Sequence, residues 1–177
     1  SSLNNYGSIS GLGFGITNYA LSTIDLINNF GSITSQTGPA ISNIAKIGII
    51  NNYQGTYGSG QTALSYTGNL PSAYNVIVNN THYGQLQVTN ALSPDPTDPT
   101  SKMTFGVYSG STLAYLKHRY SSVLSSDGSL NGKIANMSGT TASGRKWRLI
   151  DNGNDTYDLE VDGYIVVRNV YSTLNSN

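Results

Sequence analysis

Cysteine is absent from the 177 residues, so neither a disulfide framework nor a thiolate metal site holds this chain together. Charge is scarce as well: only 10% of residues are charged, nine basic against nine acidic. Proteins that bind nucleic acid by neutralising phosphates carry a basic excess, so a net charge of zero argues against that partner. Long apolar runs are missing, and the N-terminus has neither the charged nor the apolar region of a signal peptide. The expectation is an internal, soluble piece of a longer protein. A chain of this length can still bury a core without staples, in one domain or two small ones.

What is present is glycine, tyrosine and uncharged polar residues, and their distribution is uneven. Asp25 and Lys46 are the only charged residues before position 95; the other sixteen follow. The first part is solvated by Asn, Ser, Thr, Gln and Gly, which accept turns and stack in ladders without like-charge repulsion. This step in composition marks an organisational boundary, with residues 1–71 on one side and 72–177 on the other.

The first seventy residues repeat. Leu3-Asn4-Asn5-Tyr6-Gly7-Ser8-Ile9 returns as Ile27-Asn28-Asn29-Phe30-Gly31-Ser32-Ile33 and, more weakly, as Ile50-Asn51-Asn52-Tyr53-Gln54-Gly55-Thr56. Thr23 to Ile27 returns as Lys46 to Ile50, and Ala40-Ile41-Ser42 as Ala63-Leu64-Ser65. A unit of this length suits three short strands separated by turns. Ile24 and Leu26 alternate with polar neighbours, as do Ile47 and Ile49, which predicts one face in and one face out. Such a coil cannot bury its apolar face alone, but stacked coils place Ile on Ile and Asn on Asn. The predicted fold is all-β: a right-handed parallel β-helix of about three coils with a C-terminal β-rich capping segment. Leucine-rich repeats need a Leu and Asn pattern that is missing, and the Gly, Asn and Thr content excludes a helical repeat.

Beyond Ser72 no period is legible and longer alternating runs appear: Tyr74 to Val78, Gly84 to Thr89 and Met103 to Tyr108. Ser93 to Thr100 carries three prolines and reads as an exposed loop. Lys146 to Ile150 and Thr156 to Val161 flank Asp151-Asn152-Gly153-Asn154-Asp155, a hairpin whose buried face would hold Trp147, Leu149, Tyr157, Leu159 and Val161. Leu113, Leu116, Tyr120 and Val123 or Leu124 have helical spacing, but in these β-branched, Tyr-rich and Ser-rich surroundings Arg119 to Leu124 reads better as a strand. A solenoid end exposes strand edges, and the segment after 72 is placed to cap it.

The coil repeat, followed by Tyr74-Asn75-Val76-Ile77-Val78, Tyr83-Gly84-Gln85-Leu86-Gln87-Val88, Met103 to Tyr108, Arg119 to Leu124, Lys146 to Ile150 and Tyr157-Asp158-Leu159, resembles the C-terminal part of an autotransporter passenger. These are the type V secreted proteins of Gram-negative bacteria, and the resemblance covers most of the chain. It implies a non-enzymatic junction or autochaperone region that folds first and templates the β-helix at the cell surface or outer membrane, or before release by cleavage. Implied partners are the chain's own upstream β-helix, a downstream outer-membrane barrel and, through a full adhesin-like passenger, a host-surface protein or glycan. No cofactor and no metal are implied. The Pro-Asp loop and the stretch from Ser126 to Gly144 are less regular than the family pattern. The expected folding core is Tyr74, Tyr83, Leu86, Phe105, Tyr108, Tyr120, Trp147, Leu149, Tyr157 and Leu159.

The competing class is a carbohydrate-binding or carbohydrate-cleaving β-helix, such as a phage tailspike or a polysaccharide lyase fragment. Cleavage needs two spaced carboxylates or a metal-bound one. The coils offer only Asp25; Asp151, Asp155, Asp158, Glu160 and Asp162 read as the turn and the solvated face of a hairpin. His82 and His118 are too far apart in sequence to indicate a metal site.

Overall fold

A computed structural model describes residues 1–164; the end of the expected capping segment, 165–177, lies outside the described residues. The chain winds as a parallel β-solenoid of about four turns. The first coil supplies β1 (Ser2–Asn5), β2 (Ser8–Gly11) and β3 (Ile16–Asn18), and the second β4 (Thr23–Asn29), β5 (Ser32–Ser35) and β6 (Ile41–Asn43). The third supplies β7 (Lys46–Asn52), β8 (Gln54–Gly55), β9 (Ser59–Gly60) and β10 (Leu64–Asn69). Next come β11 (Ala73–Val76), β12 (Val78–Asn80), β13 (His82–Tyr83) and β14 (Leu86–Leu92), then a wider coil of β15 (Thr104–Val107), β16 (Thr112–Leu113) and β17 (His118–Ser126). The short β18 (Ser138–Thr140) and the hairpin of β19 (Lys146–Asp151) and β20 (Thr156–Val161) end the described chain.

Strands β1, β4, β7, β11 and β15 form one parallel sheet. A second runs parallel through β3, β6, β10, β14 and β17, and β20, β19 and β18 extend it antiparallel. Short pairings of β2 with β5, β8 with β9, and β12 with β13 and β16 make the third side.

The sequence repeat is the physical register of the stack. Leu3 lies on Ile27 and Ile27 on Ile50, with Asn4, Asn28, Asn51 and Asn5, Asn29, Asn52 aligned beside them. The same step continues past residue 72, where Tyr74 lies on Ile50 and Asn75 on Asn51, and Phe105 then lies on Tyr74. Parallel stacking therefore crosses the compositional boundary. The period is hidden there because aromatic and β-branched residues replace Ile-Asn-Asn.

Two local expectations are corrected. Ile41 rests on Tyr66, not on Leu64, which rests on Leu86. The longer step places the Ser65 hydroxyl where it accepts from the Ala40 N–H at 2.8 Å and brings Asn43 to the Tyr66 hydroxyl. Nor do Leu26 and Ile49 share the inner face with Ile24 and Ile47. Inward positions step from Ile24 to Ile27 and from Ile47 to Ile50, which turns Ile49 outward. The strands bend together at Asp25 and Gly48, where a Cβ on Gly48 would lie 2.3 Å from the Asp25 carbonyl oxygen. Arg119 to Leu124 is a strand, as expected, and Ser93 to Thr100 forms an exposed loop closed by a bridge between Asp95 and Asp98.

Candidate functional site

Polar ladders line the corners of the solenoid. Asn5 donates to Asn29 at 2.9 Å and Asn29 to Asn52 at 3.0 Å, all three buried. Asn52 then donates to the Tyr74 hydroxyl at 3.2 Å. On the opposite corner Asn18 donates to Asn43 at 2.8 Å, and Asn43 to the Tyr66 hydroxyl at 3.1 Å. Each buried ladder thus reaches a buried phenol. Burial, only partly offset by these bonds, pushes both phenols far above their ordinary range, so they stay protonated. The outer ladder of Asn4, Asn28, Asn51 and Asn75 stops at Gly106, where a Cβ would sit 2.5 Å from the Asn75 Oδ1.

The C-terminal end of the stack is covered. The hairpin pairs Trp147 with Val161 and Leu149 with Leu159, and both pairs point inward as expected. Trp147 meets Phe105 edge-on at 5.3 Å, adding a sixth layer to the column Leu3, Ile27, Ile50, Tyr74, Phe105. Tyr83 packs edge-on against Tyr120 at 5.2 Å, and their hydroxyls bond to the Ser121 carbonyl at 2.9 Å and the Asn80 carbonyl at 3.1 Å. Leu86 lies on Leu124, which faces Tyr157. Tyr74, Tyr83, Leu86, Phe105, Tyr120, Trp147, Leu149, Tyr157 and Leu159 therefore share one core.

Tyr108 is the exception. Its N–H donates to the Val76 carbonyl, which aligns it with Tyr6, Phe30, Tyr53 and Ile77 on an outer corner of the stack. The ring stands outside the core, edge-on to Phe30 at 6.0 Å, and Phe30 stacks on Tyr6 at 5.2 Å.

Three side chains, two of them in the cap, tie together distant parts of the chain. The Asn136 amide accepts from Phe105 N–H and donates to Phe105 C=O, both at 2.8 Å, so it pairs with β15 as a further strand would. Gln54 does the same within the stack, accepting from Ile33 N–H at 2.7 Å and donating to its carbonyl at 3.1 Å. Asp158, expected on a solvated face, is buried. It accepts from Ser122 N–H, Arg119 Nε and Asn152 Nδ2, each at 2.8 Å. No local sequence signal marks these three, because their partners lie on other coils or strands.

At the other end β1, β2 and β3 have no neighbour on their outer edges among the described residues. Leu3, Ile9 and Ile16 are only partly buried there, and Leu12 and Leu21 are exposed.

The remaining polar groups serve turns and ion pairs. Asp151 accepts from Gly153 N–H at 2.8 Å and Asn154 from the Thr156 hydroxyl at 2.6 Å, the chemistry of a tight turn. Glu160 pairs with Arg148 and Lys117, and Asp162 with Arg148. His82 is exposed, and His118 packs on Tyr120 at 4.6 Å. No three metal-ligating side chains cluster among the described residues. Comparison of the chain with protein-family models, with curated proteins and with solved structures finds no match in any of the three.

Proposed function

We propose that this chain is the C-terminal part of an autotransporter passenger, and that its covered end is the folding nucleus on which preceding coils stack during secretion across a bacterial outer membrane. The asymmetry of the solenoid carries this reading. One end is closed by the hairpin, Asn136 and a Phe-Trp contact, while the other presents open strand edges over a half-covered Leu3-Ile9-Ile16 floor. Parallel coils close non-local contacts, which makes their formation slow and leaves edges exposed meanwhile. A cap with its own core removes that barrier, since each further coil then adds to an edge already in place. Trp147→Ala and Tyr120→Ala, tested in the secreted parent protein, should lower surface display and protease resistance without changing synthesis. Unchanged display of both variants would overturn the proposal.

A further inference from the structure

Arg145 is 5% exposed, and among the described residues its Nη1 and Nη2 have no hydrogen-bond partner. Its Nε donates to the Asp162 carbonyl at 2.7 Å, and the Tyr164 ring lies 4.4 Å from the guanidinium carbon. A buried guanidinium that keeps two donor groups idle is costly unless an acceptor arrives.

Beside Arg145 lies a cleft of about 410 Å³ bordered by Ser143, Lys146 and Tyr164. A second hollow of about 200 Å³ shares Ser143 and Tyr164 and reaches Tyr108 and Thr112. The two adjoin at Ser143 and Tyr164, with Arg145 lining the first, Thr112 and Tyr108 the second, so a planar cation, hydroxyls and two aromatic rings lie side by side. Asp162, the acid at the rim, is held by Arg148.

Each element answers one part of an acidic sugar. The guanidinium fork matches a carboxylate in two parallel hydrogen bonds. The rings offer flat surfaces to the C–H face of a pyranose, and the hydroxyls match its hydroxyl groups. We propose that this cleft binds a uronic-acid-bearing saccharide, its carboxylate on Arg145 Nη1 and Nη2 and its ring against Tyr164. Binding requires Tyr164, half exposed and with its ring tilted against Tyr115 at 5.2 Å, to turn off the guanidinium far enough to admit the carboxylate.

The test is calorimetric titration of the whole chain with trigalacturonate and a hyaluronan tetrasaccharide, alongside methyl-esterified trigalacturonate and a triglutamate peptide. At least one uronate probe should bind, and esterification, Arg145→Gln and Tyr164→Ala should each weaken binding by about tenfold or more. Thermal melting establishes that the variants fold; should Arg145→Gln fail to fold, Tyr164→Ala and the ester carry the decision. Absence of uronate binding, equal binding of the ester, or triglutamate binding as tight as the saccharide would each overturn the assignment.

Discussion

Asn29 sits midway in the buried ladder with both amide N–H groups and its carbonyl oxygen engaged. It accepts from Asn5 and donates to both Asn52 and Gln54. Removing it strands one Asn5 N–H inside the stack and leaves the Asn52 and Gln54 oxygens with one donor each, from Gln54 N–H and Ile33 N–H, so Asn29→Ala should destabilise the chain by about 2–3 kcal/mol. Asn4 occupies the exposed end of the outer ladder and accepts one bond from Asn28. Asn4→Ala should cost only about 0.5–1 kcal/mol. Urea unfolding of the two variants measures the contrast, and equal midpoints would refute the role given to burial. These ladders were legible in the sequence, because stacking like on like forces the same residue to recur at the coil period. The amides of Gln54 and Asn136 were not, because an amide that mimics a strand needs only proximity to a foreign backbone, and any surface Asn or Gln has the same local signature.

Strand β17 changes register against β20 between Tyr120 and Leu124, with Ser122 at a φ of +50°. Asp158 holds that irregularity. Burial disfavours its ionised form, but the Ser122 N–H, Asn152 and Arg119 more than compensate and hold its pKa below the ordinary carboxylate value. Asp127, bonded by the Ser129 hydroxyl and the Asn90 and Ser129 N–H groups, is lowered to about 2. A depressed folded-state pKa gives stability that is complete above the unfolded value, near 4, and lost as pH falls through the folded one. Stability should therefore decline below about pH 4, and Asp158→Asn should flatten that decline while costing about 1–3 kcal/mol at neutral pH. Denaturant midpoints from pH 7 to 2 check the sign; a variant with the parent's acid slope would contradict it. The hairpin that carries Asp158 was plain in the sequence, since alternation and an Asp-Asn-Gly turn are local signals. The bulge facing it was not, nor was the outward turn of Tyr108, which follows from a corner that only the stacked coils define.

The solenoid is quasi-one-dimensional, so the stability of each coil comes from its own contacts and those with its immediate neighbours. The first coil has one neighbour and leaves Leu3, Ile9 and Ile16 half covered. The coil from β15 to β17 lies between β11 to β14 on one side and the hairpin with Asn136 on the other, and it holds the fully buried Phe105 and Tyr120. Opening should therefore begin at β1 to β3 and proceed toward the cap. Native-state hydrogen exchange should show the fastest strand amides in β1 to β3 and the slowest in β14, β17 and β20. Deleting residues 1–22 should leave a cooperative unfolding transition, since it moves the open edge from one coil to the next without exposing Trp147 or Phe105. Ending the chain at residue 137 should instead remove the hairpin layer, uncover both the Phe105 column and the edge of β17, and produce aggregation or loss of cooperativity. The reverse result, with the N-terminal deletion more damaging than the C-terminal one, would place the organising core in the first coils and remove the physical basis for a nucleus at the cap.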